Sequence, residues 1–206
     1  MKAHRSTVIG RDFYERATVD VACGLLGMVV QVRHGNDIRA GRIVETEAYL
    51  GTSDAAAHSF RGRTARNASM FGPPGHAYVY FSYGVHWMLN VVTQPVGTGE
   101  AVLIRAMEPI AGIEAMRKAL GYAEDIPGYR MGNGPGKLAK ALGVTRDIHD
   151  GADICDPSSP IIIVDDGHPA NASEITITKR IGITKDADKL LRFYISSSRA
   201  VSRKTR

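Results

Sequence analysis

Two glutamates stand two residues apart in the run Arg-Ile-Val-Glu-Thr-Glu-Ala-Tyr-Leu-Gly (42–51). The surrounding pattern reads as a strand over 38–50. A period of two puts Ile43, Glu45, Glu47 and Tyr49 on one face. A carboxylate facing an apolar interior is costly to bury. One reading is a general base with an aromatic ring beside it. Another is a surface strand whose glutamates pair with Arg39 or Arg42. A third uses both carboxylates on a sugar or nucleoside. Same-face neighbours lie about 7 Å apart, a spacing compatible with a glycosidase pair.

The chain just downstream has the opposite charge. From Ala55 to Gly99 there is no Asp or Glu. The same span holds Arg61, Arg63 and Arg66, the histidines 58, 76 and 86, and half of the chain's aromatic residues. The arginines suit phosphate, or form a solvated basic loop. The histidines could join Asp54 around a metal, but they lack the i, i+4 spacing of helical zinc sites. Hydrogen-bonded structural histidines are expected, with no metal and no cofactor. Gly132–Gly136 follows no strand and lacks a Gly-Lys-Ser/Thr ending, so it is not a nucleotide P-loop. No lysine occurs between Gly41 and Arg105. A Schiff-base nucleophile in this stretch is excluded.

These groups must be held by a recognisable set of elements. Thr18 can cap a helix reaching Leu26, with Gly27 as its stop. A strand over 28–34 and the turn Gly35-Asn36-Asp37 lead into the glutamate strand. Ser53 or Asp54 can cap a short helix over 55–59. Strands over 76–82 and 85–93 form a hairpin, with Tyr78 and Tyr80 on one face and Tyr83-Gly84 at the tip. A tip aromatic suits insertion between base steps; the bland reading is an incidental tyrosine. A strand over 100–107 carries Arg105. Helices are predicted over 113–120 and 135–142, with Pro135 in the first turn. Gly121–Asn133 reads as a mobile loop. Late strands span 161–164, 174–180 and 191–196.

The chain has 206 residues, 44% of them hydrophobic, and a net charge of +5. That suits one domain with a sizeable core and an anionic partner, nucleic acid first. Cys23 and Cys155 have no metal-ligand spacing, which fits a reduced, intracellular chain. The first residues lack the apolar core of a secretory signal. No aliphatic run can span a bilayer. The last eight residues hold four cations and no acid, a basic tail over about 197–206.

Taken together, the ordered blocks resemble the alkyladenine (3-methyladenine) DNA glycosylase family. They are Arg-Ile-Val-Glu-Thr-Glu-Ala-Tyr-Leu-Gly (42–51), Ala-Ala-His-Ser (56–59), Tyr-Val-Tyr (78–80), Tyr-Gly (83–84) and Asn90. Leu-Ile-Arg-Ala-Met-Glu-Pro (103–109), Gly-Pro-Gly-Lys-Leu (134–138), Arg-Ile-Gly-Ile (180–183) and Leu-Arg-Phe-Tyr (191–194) complete the set. The resemblance implies an α+β fold in one domain over residues 1–206. A curved, largely antiparallel sheet would be flanked by helices and carry a protruding hairpin. It implies a monofunctional DNA glycosylase of base-excision repair. Such an enzyme flips alkylated or deaminated purines out of duplex DNA and leaves an abasic site.

The resemblance also assigns roles. Glu47 matches the base that activates water, and Arg105 a residue beside that water. Tyr49 matches the aromatic on one face of the flipped base, His58 and Tyr80 those on the other. Asn90 matches the side chain that clashes with the guanine 2-amino group. Ile181 matches a backbone carbonyl that holds the water. Tyr83 matches the intercalating residue, with Gly84, Arg61, Arg63 and Arg66 as DNA contacts. Val85, His86 and Ala101 are expected beside the pocket. The partner is duplex DNA with damaged purines, with no membrane. The chain is expected to act as a monomer in the cytoplasm, nucleoid-associated if bacterial.

Overall fold

The computed structural model describes residues 6–82 and 84–202. Tyr83 and positions 203–206 of the basic tail lie outside the described residues. In chain order the elements are β1 (Thr7–Val8), α1 (Arg11–Tyr14), α2 (Thr18–Gly24), β2 (Val29–His34) and β3 (Asp37–Tyr49). Next come β4 (Ala77–Ser82), β5 (His86–Thr93), β6 (Glu100–Ala111), α3 (Ile113–Leu120), α4 (Pro135–Leu142) and α5 (Arg146–His149). The chain continues through β7 (Ile161–Asp165), β8 (Ile175–Thr178) and β9 (Arg192–Ile195). The described strands form one sheet in the order β1-β7-β2-β3-β6-β5-β4, and β9 joins β8 to β3. Every strand pair is antiparallel. The architecture is α+β, as expected.

The long strand β3 organises the sheet. One of its edges pairs with β2 as far as Arg42 and with β9 from Glu45 to Glu47. Its other edge pairs with β6, where the register slips on both sides of Glu45. A bulge bends a strand and raises its twist. It also breaks the alternation read from the sequence. Ile43 joins the main core with Leu89 and Ile104, while Val44 packs with Ala106 and Ala200. Ile43 therefore does not share a face with Glu47, because the bulge inserts an extra residue between them. Thr46 turns toward α2, its hydroxyl donating to the Ala22 carbonyl at 2.8 Å.

The main core lies between the sheet and the helices. Val21 of α2, Leu25 just after it, Met116 of α3 and Leu138 and Leu142 of α4 pack there with Val30, Ile43 and Ile104. In α4, Pro135 starts the helix and Gly143, at φ +73°, ends it in the left-handed conformation. No helix of the described residues is long and apolar enough to cross a membrane.

Other expectations shift. Thr18 is the first residue of α2, not its cap; its buried hydroxyl meets Thr93 Oγ1 at 2.8 Å and donates to Glu100 at 2.5 Å. These tertiary bonds, to Glu100 and with Thr93, engage the hydroxyl in place of a local capping bond. Residues 55–59 form turns, not a helix, because Asp54 is held elsewhere. β6 runs four residues further than expected, and β8 stops at Thr178. The segment 121–133 carries a 3-10 turn over Gly128–Arg130 and buries Met131.

Arg42 clamps Asp166 with two bonds, at 2.9 and 2.7 Å. That clamp holds the Asp166 carboxyl down at about 2. A depressed carboxyl stabilises above its unfolded pKa of about 3.9, and that stability is lost as pH falls toward the folded value. The effect is at most about 2 kcal/mol, reduced by solvent at this partly exposed pair. Asp166→Asn should flatten the fall in stability between about pH 4 and 2 in urea titrations. An unchanged slope would remove the clamp from the acid response.

Candidate active site

A cavity of about 470 Å³ opens where the end of β3 meets the β4–β5 hairpin. Its volume is in the range of small-molecule sites. Tyr49, His58, Tyr78, Tyr80, Asn90 and Arg105 line it, with Leu103, Met88, Pro135 and Ile181. Period-two alternation brings Tyr78, Tyr80, Met88 and Asn90 to the same side of the hairpin. Val79, Leu89 and Val91 point to the core instead.

Glu47 lies fully buried beneath this cavity. Its Oε1 accepts the Ile181 amide at 2.8 Å. Its Oε2 accepts the Tyr49 hydroxyl at 2.9 Å and Arg105 Nη1 at 3.2 Å. A carboxylate has about four acceptor positions, so one remains on Oε1. Burial raises the Glu47 pKa; Arg105, the Ile181 amide and the Tyr49 hydroxyl oppose that rise without cancelling it. Burial also opposes the Arg105 charge, but Glu47 and Glu45 outweigh it and keep the guanidinium protonated.

Glu45 has a different environment. It is fully buried, does not border the cavity, and is saturated by Arg105, Arg192 and Ser202. It is not available as the second carboxylate of a glycosidase pair. Neither glutamate pairs with Arg39 or Arg42, which bond Ala141 and Asp166 instead.

The aromatic walls are fixed from behind. Tyr78 and Tyr80 have ring centres 5.4 Å apart, and His58 meets Tyr80 edge-on at 4.4 Å. His58 Nδ1 lies 2.9 Å from the Tyr78 hydroxyl. Partial desolvation, then the Arg66 cation, lower the His58 pKa, so its ring is neutral at pH 7. Asn90 Nδ2 donates to the Tyr78 carbonyl at 3.1 Å, which fixes the amide's orientation. Arg180 stacks 4.6 Å from the Tyr49 ring centre. Its two terminal nitrogens bond the fully buried Asp54 at 2.5 and 2.7 Å.

Arg66 borders the cavity and donates to the Phe81 carbonyl at 3.3 Å. Arg61 and Arg63 are exposed on the adjoining turn, outside the cavity lining. Gly84 occupies the hairpin turn at φ +68°, a conformation that favours glycine. Val85 is exposed in the same turn, His86 is exposed over Gly136, and Ala101 is buried behind Tyr78. None of these three lines the cavity itself. The histidines diverge: His58 meets Tyr78 and His76 meets Arg11. Among the described residues no cluster of three His, Cys, Asp or Glu could hold a metal.

A methylpurine-DNA glycosylase family model matches residues 12–199. The chain belongs to that family. Curated relatives bear the provisional name 3-methyladenine DNA glycosylase. One from Koribacter versatilis is 52% identical over 94% of this chain and 92% of its own length. Another from Methanoculleus marisnigri is 49% identical, covering 93% and 97%. A third, from Burkholderia lata, is 45% identical, covering 95% and 91%. This methylpurine-DNA glycosylase family member is thus a DNA-repair enzyme that acts on alkylated bases, with DNA as its substrate.

Sequence reasoning missed Arg180, Asp54, Arg192 and Ser202. The Arg180–Asp54 pair spans 126 residues and the Arg192–Glu45 pair 147. The local signals were that Arg180 opens the block 180–183 and that Arg192 lies in the block 191–194.

Proposed function

We propose that this DNA glycosylase flips alkylated and deaminated purines into the cavity and hydrolyses the N-glycosidic bond with a water activated by Glu47. The carrying observation is the set of donors on Glu47: Tyr49, Arg105 and Ile181 all hold it, and all three line the cavity. Glu47 takes the proton of the water through Oε1. The water oxygen bonds C1′, the bond to the purine breaks, and its electron pair leaves with the base. An abasic site remains. The absence of lysine from 41–105 supports water as the nucleophile and a monofunctional enzyme.

Flipping costs a few kcal/mol, least for a damaged base. Stacking returns roughly 1–3 kcal/mol per base. Tyr49 takes one face of the base, and His58 and Tyr80 take the other. Asn90, its amide fixed, rejects the 2-amino group of guanine. Arg105 aligns Glu47 beside the attacking water. The Ile181 amide orients the carboxylate, and its carbonyl holds the water. Tyr83 fills the vacated stack, while Gly84, Arg61, Arg63 and Arg66 face the DNA backbone. One chain supplies every group, which supports action as a monomer.

The test compares base release from duplexes that each carry one lesion with release from the matching free nucleoside. Release from duplex alone is expected. Equal release from free nucleoside would remove flipping. Affinity should also fall steeply with salt, by about 0.9 in log–log slope per phosphate contact. Replacing Arg61, Arg63 and Arg66 with alanine should flatten that slope. A slope unaltered by the triple variant would clear those arginines of phosphate binding.

A further inference from the structure

Glu45 accepts four hydrogen bonds close to the cavity, and the proposed reaction does not touch it. Its Oε1 accepts Arg105 Nε at 3.1 Å, Arg192 Nε at 2.7 Å and the Ser202 hydroxyl at 2.9 Å. Its Oε2 accepts the Ser202 amide at 2.7 Å. These donors come from β6, β9 and the C-terminal segment. Arg105 is bound at two points of its guanidinium, with Nε on Glu45 and Nη1 on Glu47. One cation is thus shared between two buried anions.

We propose that Glu45 is a positioning residue: it divides Arg105 between two carboxylates, so that the guanidinium aligns Glu47 without fully neutralising it. This rests on the reading of Glu47 as the base.

The surroundings support a tuned balance. Around the two glutamates stand Arg105 of β6 and Arg192 of β9, the latter 4.8 Å from the Tyr194 ring centre. Tyr49 of β3 bonds Glu47, and Arg180, already neutralised by Asp54, stacks on that tyrosine. Tyr80 of β4 lies along the same cavity wall. Two carboxylates therefore face two guanidiniums. If Glu45 lost its charge, Arg105 would turn its full field on Glu47 and make it a weaker base. A like charge nearby also raises a carboxyl pKa, and Glu45 acts on Glu47 in that direction. A base matched to working pH is more effective than one ionised too easily.

The alternative is a staple that merely fastens the C-terminal segment. Single-turnover base release from a duplex carrying one 3-methyladenine, measured across pH, separates the two. The wild type, Glu45→Gln, Glu45→Asp, Ser202→Ala and Glu47→Gln are compared, with melting temperatures for each. In Glu45→Gln the plateau rate should fall about tenfold and the acid limb should move to lower pH. Duplex affinity should stay within about twofold, since the cavity wall is untouched. Glu45→Asp keeps the charge and should hold the limb near its wild-type position. Ser202→Ala removes one donor from Glu45, which then draws Arg105 more strongly; its limb should move to higher pH. If Glu45→Gln does not fold, the Ser202→Ala limb decides alone. Limbs unmoved in the folded variants, with rates tracking melting temperature, would leave only a staple and overturn the proposal. Undiminished release by Glu47→Gln would take down the base assignment and this proposal together.

Discussion

Glu47→Gln is expected to lose base release by roughly 10²- to 10⁴-fold while still binding a lesion duplex. The amide keeps the side chain's shape but cannot take a proton from water. Stability should hold, because burial disfavours the Glu47 charge in the folded state. A carboxyl with a raised pKa costs the fold stability above that pKa, so removing its charge relieves that cost. The neutral side chain offsets this by leaving Arg105 with Glu45 alone. The wild-type rate should fall as pH drops through a midpoint above the ordinary Glu value of about 4.3. The paired measurement is single-turnover release and duplex affinity for one preparation. Release at the wild-type rate would refute Glu47 as the base.

Asp54→Ala should destabilise the protein by about 3–5 kcal/mol, the usual cost of stranding a buried charge. Both side chains are fully buried, and among the described residues Arg180 Nε has no hydrogen-bond partner. Burial opposes the Asp54 charge, but Arg180 overrides it and holds the carboxyl below its ordinary range. The same arginine backs the Tyr49 ring, so base release should fall along with stability. A denaturant midpoint and a release rate for Asp54→Ala read both effects. Replacing Asp54 and Arg180 together with apolar residues should recover much of the stability. It should not recover the rate. A double variant as active as wild type would mean that Arg180 does not position Tyr49.

The sequence announced most elements because their signals are local. Alternation marked β3, β4 and β5, and Pro135 marked the start of α4. Glu47 and Tyr49 were placed together by a period of two, and they share a hydrogen bond. What was hidden depends on partners far along the chain. Ile43 changed faces because the slip in register is set against β6. Spacing could not rank Glu45 against Glu47; the resemblance singled out Glu47, and the two have different sets of donors. Asp54 looked like a helix cap or a metal ligand, since nothing nearby reveals Arg180. Thr18 obeyed a capping rule on paper, yet Thr93 and Glu100 hold its hydroxyl.

The exchange of partners along one edge of β3 has a consequence for biosynthesis. The second half of that edge is filled by β9, and Glu45 is closed by Ser202. During translation, the walls from β3, the hairpin and β6 can gather first, while Pro135 and Ile181 of the lining emerge later. The charge cluster beneath them cannot close until almost the whole chain has been made. Contacts this distant in sequence also form slowly. A nascent chain therefore holds the arginines and aromatics of 55–99 well before the charge cluster around Glu45 and Arg105 is complete. Premature termination before Arg192 should yield polypeptides that hold the residues proposed to face DNA but lack the Arg192 and Ser202 donors to Glu45, and base release by such fragments is expected to be lost.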